Sequence, residues 1–170
     1  RDLHSFPTRR SSDLLNAIKN AGERSNNNQR PDFKKTGSTA QGVMQITNTT
    51  MKGITKYGSL NHNRLNAVEN MEAAAKLLSH EYQRLQSAIP AWSKANPLLA
   101  TIIQYNVGSG AANKYIKSGR LDNIGLQSHQ FAYLRRVLEY MRDHQKEEAL
   151  EYRNDMENGT SGATWEIAMN

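Results

Sequence analysis

A long amphipathic repeat in the middle of the chain is the sequence feature that most constrains the fold. Its apolar side chains recur at steps of three and four residues over three heptads, at Val68, Met71, Ala75, Leu78, Tyr82, Leu85 and Ile89. This spacing places one apolar stripe along a single helix, which Pro90 is expected to end. The stripe needs a partner, and burial along one face of a small domain is favoured over a coiled coil.

Shorter segments with helical spacing predict that most of the remaining chain is helical. The expected helices are 14–22, ended by Gly22, a turn and short helix at 43–57, stopped by Gly58, then 98–105 and 111–117, and a last one marked by Phe131, Leu134, Leu138 and Met141. Residues 25–41 are rich in Asn, Ser, Thr and Gly and are expected to form a loop. Because no segment alternates with the period of a strand, the predicted fold class is all-α.

The two ends of the chain are expected to lie outside the folded domain. Residues 2–14 read Asp-Leu-His-Ser-Phe-Pro-Thr-Arg-Arg-Ser-Ser-Asp-Leu, the translation of a common DNA-sequencing adapter. We therefore interpret residues 1–14 as an assembly artefact and expect the native sequence to begin near Leu15. Residues 146–170 are acidic with few apolar anchors and are predicted to form a tail or linker. The domain itself is predicted at 15–145.

Composition narrows the classes of partner and chemistry. The chain carries a net charge of +6, but residues 15–138 alone hold sixteen bases and six acids, a net +10. Such a basic body favours a polyanion: nucleic acid, an anionic membrane or the bacterial cell wall. No apolar run is long enough to span a membrane. With zero Cys and five scattered His, no disulfide, thiolate site, metal centre or cofactor is predicted.

Three short motifs follow one another in a fixed order. They are Gly-Val-Met-Gln at 42–45, Tyr-Asn-Val-Gly at 105–108 and Tyr-Leu-Arg-Arg-Val at 133–137. Singly each is a weak signal, but together, in this order, the set resembles the lytic transglycosylase family with the goose-type lysozyme-like fold. The resemblance covers about residues 15–145. It implies a lysozyme-like helical domain with a substrate cleft.

The resemblance implies one catalytic carboxyl group, a Glu at the end of the first helix. Glu23 fits this position because it follows the predicted helix and lies 19 residues before Gly42. The sequence has Glu-Arg-Ser where the family usually has Glu-Ser, which leaves the role of Ser25 open. A general acid that stays protonated near neutral pH must be shielded from water. We therefore expect Glu23 to be partly buried, lined by Met44 and facing Tyr105.

The remaining site residues are also implied by the resemblance. Gln45 and Asn106 are expected to hydrogen-bond sugar hydroxyl or N-acetyl groups, and Tyr105 to approach the sugar ring. Tyr133 is expected to brace the cleft through its hydroxyl. The alternative for these Tyr and Asn residues is a purely structural role at helix ends. Ser25 and Met44 complete the predicted substrate-binding set.

The scarcity of acids bears on the type of reaction. Glycosidases ordinarily use two carboxylates across the scissile bond, yet residues 34–68 contain no Asp or Glu, and Thr47 stands where goose-type lysozymes carry an Asp. A transglycosylase that uses a single Glu and forms 1,6-anhydro-N-acetylmuramic acid is therefore preferred over a lysozyme-like hydrolase.

Two further classes stay open as alternatives: a non-catalytic wall-binding or virion module, and a nucleic-acid binder driven by the basic body. The preferred partner is the glycan strand of peptidoglycan, and no nucleic acid is expected. The predicted setting is the periplasm and cell envelope or a bacteriophage virion. The oligomeric state is left open.

Overall fold

Six α-helices and one π-helical turn make up the part of the chain that the structure describes. The structure is a computed structural model, and it describes residues 8–25, 37–55, 64 and 66–157. The elements are α1 (Thr8–Ala17), continued by a π-helical turn (Ile18–Glu23), α2 (Asn48–Thr55), α3 (Ala67–Ala88), α4 (Pro97–Asn106), α5 (Ser109–Ser118) and α6 (Ser128–Glu157). The described residues are mostly helical and form no strand beyond an isolated bridge. The all-α prediction is confirmed.

Helix α4 lies at the centre of the domain and packs against α3, α5 and α6. Its start is set by Asn96, whose side chain accepts hydrogen bonds from the backbone N–H groups of Leu98 and Leu99, with Pro97 in the first turn. The successive residues 100–103 are all fully buried, so every side of this helix is covered at that level. The mostly apolar sequence of the helix is explained by this position.

Helix α3 has the predicted length, but its buried face is rotated relative to the predicted stripe. Val68 is 66% exposed. The buried positions are Asn70, Ala73, Ala74, Leu78 and Leu85. Two small alanines on this face allow α1 and α4 to approach the helix closely, whereas periodicity alone favours the larger side chains.

The first helix does not end at Gly22. It continues as the π-helical turn to Glu23 and ends at Arg24, whose φ of 53° is left-handed. Gly22 is buried, and a Cβ on it would lie 2.7 Å from Cζ of Tyr133 on α6. The glycine therefore serves the close approach of a tyrosine ring and does not stop the helix.

The first and last helices reach further towards the ends of the chain than predicted. Helix α1 begins at Thr8, inside the adapter-like segment, and Leu14 is fully buried in the core. Helix α6 continues past Lys146 to Glu157, so its helical sequence reaches into the predicted tail. The division into artefact, domain and tail stays a prediction. Residues 26–36, most of the predicted loop, and Gly58 lie outside the described residues.

The last helix packs on a face shifted from the predicted one. Tyr133, Leu134, Val137 and Met141 are buried, whereas Phe131 and Leu138 are 37% and 38% exposed. Within the described ranges, no helix is both long and apolar enough to cross a membrane.

One buried polar side chain, Asn70 on α3, fixes the loop that precedes the helix. Its Oδ1 accepts the N–H of Met44 at 2.8 Å, and its Nδ2 donates to the carbonyl oxygens of Gln41 at 3.1 Å and Arg64 at 2.9 Å. Asn70 is fully buried, so water cannot replace these bonds. The amide thus joins three backbone groups of the segment 41–64 to α3.

Replacing Asn70 by Asp should therefore destabilise the domain. The carboxylate keeps the acceptor for Met44 but turns an oxygen towards two carbonyl oxygens. We expect the free energy of unfolding in urea at pH 7 to fall by about 2–4 kcal/mol. The same substitution at the exposed Asn113 of α5 is the control and should cost less than about 0.5 kcal/mol. Equal effects at both positions would contradict this role of Asn70.

Candidate active site

Glu23 at the end of the π-helical turn is a partly buried carboxyl group with a specific partner. The hydroxyl of Tyr133 on α6 donates to Oε1 of Glu23 across 2.8 Å. Burial raises the pKa of Glu23, while the Tyr133 hydrogen bond and the positive charge of Arg136 lower it, and the net pKa lies above the ordinary value of 4.5. Such a group holds its proton to higher pH than an exposed glutamate.

The two tyrosines near Glu23 make different contacts. Tyr133 bonds the carboxyl group directly, whereas the hydroxyl of Tyr105 on α4 donates to the carbonyl oxygen of Met44. Burial and then the charge of Glu23 raise the pKa of Tyr105, and the same two effects lead the rise at Tyr133. Both phenols therefore stay protonated and act as hydrogen-bond donors.

The loop at 41–46 forms a tight turn beside these groups. Gln41 and Ile46 pair their backbones at 3.1 and 3.0 Å, and Gly42 and Gln45 have φ values of 77° and 51°. A Cβ on Gly42 would lie 2.1 Å from the carbonyl oxygen of Arg64, so only glycine fits. The Gln45 side chain donates to the carbonyl oxygen of Gly42 at 2.9 Å. The turn is thus closed by hydrogen bonds within its own sequence.

A pocket of about 250 Å³ lies between α2, α3 and α4 and shares Gln45 and Tyr105 with the groups already described. Its polar wall includes Glu81, whose Oε2 accepts from Nε of Arg84 at 2.8 Å, and Arg84 also donates to Oε1 of Gln104 at 3.1 Å. The other lining residues are Ile46, Thr47, Thr50, Gly53, Ile54, Leu77, Leu78 and Thr101. A concave site of this mixed character is typical of a ligand pocket.

Asn106, at the end of α4, offers an unused hydrogen-bond acceptor. Its Oδ1 is a buried side-chain oxygen with no hydrogen-bond partner among the described residues. Buried polar atoms are nearly always paired in folded proteins. This oxygen is therefore open to a hydrogen bond from a water molecule or a ligand.

Two of the residues predicted to bind substrate, Ser25 and Met44, make contacts within the protein, and their role towards substrate stays a prediction. Ser25 donates to the backbone carbonyl oxygen of Glu23 at 3.3 Å, so its hydroxyl caps the chain end of the turn. Met44 is fully buried, which places its side chain in the core, with its carbonyl oxygen bonded by Tyr105. Thr47 accepts from the backbone N–H of Thr50 at 3.2 Å at the start of α2.

Three further residues belong to the site but were not selected from the sequence. Arg136 lies within the third motif at 133–137, so the sequence carries a signal for it. Glu81 stands three residues before Arg84 on α3, a spacing that predicts an ion pair, but only the fold brings that pair to the pocket. Nothing in the local sequence of Asn70 signals that it is buried.

These groups suit proton transfer to a poor leaving group. A partly buried carboxyl group with a raised pKa keeps its proton to higher pH than an exposed glutamate, and it can donate that proton and take one back. The described residues include no group of three or more His, Asp or Glu side chains arranged to hold a metal ion.

Comparison with known proteins identifies the family. The family model for the transglycosylase SLT domain matches residues 15–124, well over half of the chain. Neither the curated proteins nor the solved structures give a significant match. The match includes Glu23, the turn at 42–45 and the end of α4, and it supports an enzyme of the glycan-cleaving transglycosylase type that acts on the cell wall. The chain belongs to the transglycosylase SLT family, whose domain has a lysozyme-like fold.

Proposed function

We propose that this chain is a peptidoglycan lytic transglycosylase that cleaves the β-1,4 bond between N-acetylmuramic acid and N-acetylglucosamine and forms 1,6-anhydro-N-acetylmuramic acid. Glu23 is the single acid and base. The observation that carries the proposal is the partly buried Glu23 carboxyl group, bonded by Tyr133 and with a raised pKa. The substrate is the glycan strand of the wall, and the basic body of residues 15–138 suits an anionic polymer.

The reaction needs one proton donor that later becomes a base. Tyr133 bonds Oε1 of Glu23, which leaves Oε2 to carry the proton. Glu23 gives this proton to the glycosidic oxygen as the C1–O4 bond breaks. The resulting carboxylate then takes the proton of the muramyl 6-hydroxyl, whose oxygen bonds to C1. The proton returns to Glu23, and no water is consumed.

The pocket and Asn106 provide the binding groups for the strand. At about 250 Å³ the pocket is smaller than the roughly 300–1,000 Å³ of sites for drug-sized ligands, which suits one sugar unit. The unpaired Oδ1 of Asn106 accepts an N–H or O–H of the sugar. Gln45 and Tyr105 line the pocket, Tyr105 lies close enough to Glu23 to be affected by its charge, and we assign both residues to orienting the ring.

Glu81 is the carboxylate in the pocket wall, and we assign it to binding. Its side chain is 17% exposed and ion-paired with Arg84, which holds it on the far wall with Gln104. A carboxylate has about four acceptor positions, and one Arg donor leaves others for sugar hydroxyls. A hydrolase would instead use a second carboxylate to activate water.

Glu23→Gln should abolish the release of soluble anhydromuropeptides from purified sacculi. The amide cannot donate the proton, and we expect turnover to fall by at least about 10²–10⁴-fold.

The same variant also tests the raised pKa of Glu23. Because burial raises the pKa of Glu23 in the folded state, the free energy of unfolding of the wild-type protein should decline relative to that of Glu23→Gln as the pH rises from about 4.5 through that raised pKa.

Mass spectrometry of the digest and urea unfolding at several pH values measure the two effects. Products with a reducing muramic acid end would show hydrolysis and contradict the proposed reaction. Wall binding without released sugar, unchanged by Glu23→Gln, would indicate a non-catalytic module.

Gly22→Ala should impair the enzyme by moving the Tyr133 ring. The new Cβ would lie 2.7 Å from Cζ and 2.8 Å from the hydroxyl oxygen of Tyr133. The shift breaks the bond to Glu23, and we expect turnover to fall by about 10–100-fold, in line with the effect of a 1 Å misplacement. Gly110→Ala on α5, where nothing lies within 4 Å of the added Cβ, is the control. Equal activity of the two variants would refute this account of Gly22.

Glu81→Gln should weaken substrate binding without changing the product. The variant loses the ion pair with Arg84, so KM for solubilised glycan strands should rise, whereas turnover should fall by far less than the roughly 10²-fold expected of a catalytic carboxylate. Glu72→Gln, on an exposed position of the same helix, should leave both constants unchanged. A loss of turnover as large as that of Glu23→Gln would mean that Glu81 is a second catalytic carboxylate.

A further inference from the structure

Arg136 on α6 bonds to the end of the π-helical turn that carries Glu23. Its Nε donates to the carbonyl oxygen of Ala21 at 2.8 Å, and its Nη2 donates to that of Gly22 at 3.2 Å. The last carbonyl groups of a helix have no partner within the helix and need one from outside. The guanidinium of Arg136 donates hydrogen bonds to two of these carbonyl groups, from a helix more than a hundred residues later in the chain.

The same guanidinium lies close to the partner of Glu23. Its Cζ is 5.8 Å from the centroid of the Tyr133 ring, and the Tyr133 hydroxyl bonds Oε1 of Glu23. One residue of α6 therefore holds the backbone just before Glu23, and another, one turn away on the same helix, holds its carboxyl group. π-Helical turns are uncommon and frequently occur at functional sites, so contacts are needed to hold the backbone in this form.

We propose that Arg136 is a positioning residue, whose planar guanidinium holds the π-helical turn in the register that sets the Glu23 carboxyl group against Tyr133. The inference rests on the proposed function for its effect on turnover, but the contacts themselves are independent of it. Lysine cannot replace this residue fully, because its ammonium is a point charge without the fixed fork that reaches two carbonyl oxygens.

The positive charge of Arg136 gives the role a second signature. Among the residues that the structure describes, three groups face Glu23: Tyr133 and Arg136 from α6 and Tyr105 from α4. Of these, Arg136 carries the charge, and it lowers the pKa of Glu23 against the effect of burial. Removing the charge should therefore raise the pKa of Glu23 further and move the alkaline limb of kcat/KM to higher pH.

The test compares Arg136→Gln and Arg136→Lys with Arg135→Gln, which removes the same charge from the adjacent, exposed position of α6. We expect Arg136→Gln to lower kcat by about 10–100-fold with little change in KM. Arg136→Gln should also move the alkaline limb of the kcat/KM profile to higher pH. Arg136→Lys should lose part of kcat while keeping the limb near its wild-type position, and Arg135→Gln should behave as wild type.

Two measurements by nuclear magnetic resonance need no activity. The Arg24 N–H donates to the carbonyl oxygen of Lys19 at 3.0 Å and closes the π-helical turn, so its exchange with solvent should quicken at least tenfold in Arg136→Gln. The carboxyl carbon of Glu23, assigned with Glu23→Gln, should titrate at higher pH in the same variant. If the wild-type protein released no anhydro product, these two readouts would still decide the role of Arg136.

The proposal would be overturned if Arg136→Gln kept the kcat, the pH profile and the Arg24 exchange rate of the wild-type protein. It would also be overturned if Arg135→Gln lost kcat and gained Arg24 exchange as much as Arg136→Gln. Should Arg136→Gln fail to fold, Arg136→Lys decides: a lower kcat with faster Arg24 exchange supports the role, and wild-type behaviour in both refutes it.

Discussion

The hydrogen bond from Tyr133 to Glu23 is the interaction on which the site depends. A carboxyl group taken partly out of water is costly unless a donor meets it. Here the donor comes from a helix 110 residues later in the chain, so α6 must pack back onto the end of the first helix. Gly22 permits that approach because any larger residue would meet the ring of Tyr133.

A second constraint acts on the turn at 41–46. The turn at 41–46 needs left-handed backbone at Gly42 and Gln45, and such a turn has backbone groups that its own bonds do not satisfy. Asn70 from α3 and the hydroxyl of Tyr105 from α4 satisfy them. The two helices thereby add long-range hydrogen bonds to a loop that also pairs within itself. The site is rigid because buried polar side chains join segments that are distant in the chain.

The basic body and the acidic pocket wall have separate physical roles. Sixteen bases in residues 15–138 favour approach to an anionic polymer over a long range. Glu81, paired with Arg84, provides a fixed acceptor at short range, where direction matters more than net charge. In the proposed function, attraction to the glycan strand and its orientation are therefore assigned to different residues.

Local patterns predicted the helices well but not their faces. The lengths of α3 and α4 follow from the apolar spacing and from Asn66, Asn96 and Pro97, which are local signals. The face that α3 buries was predicted incorrectly at Val68, since the neighbours of a helix, and not its own period, decide which side is covered. For the same reason Gly22 suggested a helix end when its role is to admit Tyr133.

The sequence by itself determined the all-α class, the order of the three motifs and the candidate acid at the end of the first helix. Only the tertiary structure decided which atoms meet. Tyr133 bonds Glu23, Tyr105 bonds Met44, and Arg136 bonds the π-helical turn that ends at Glu23. These partners lie 61 to 115 residues apart, and their pairing depends on how helices pack, which local periodicity does not encode.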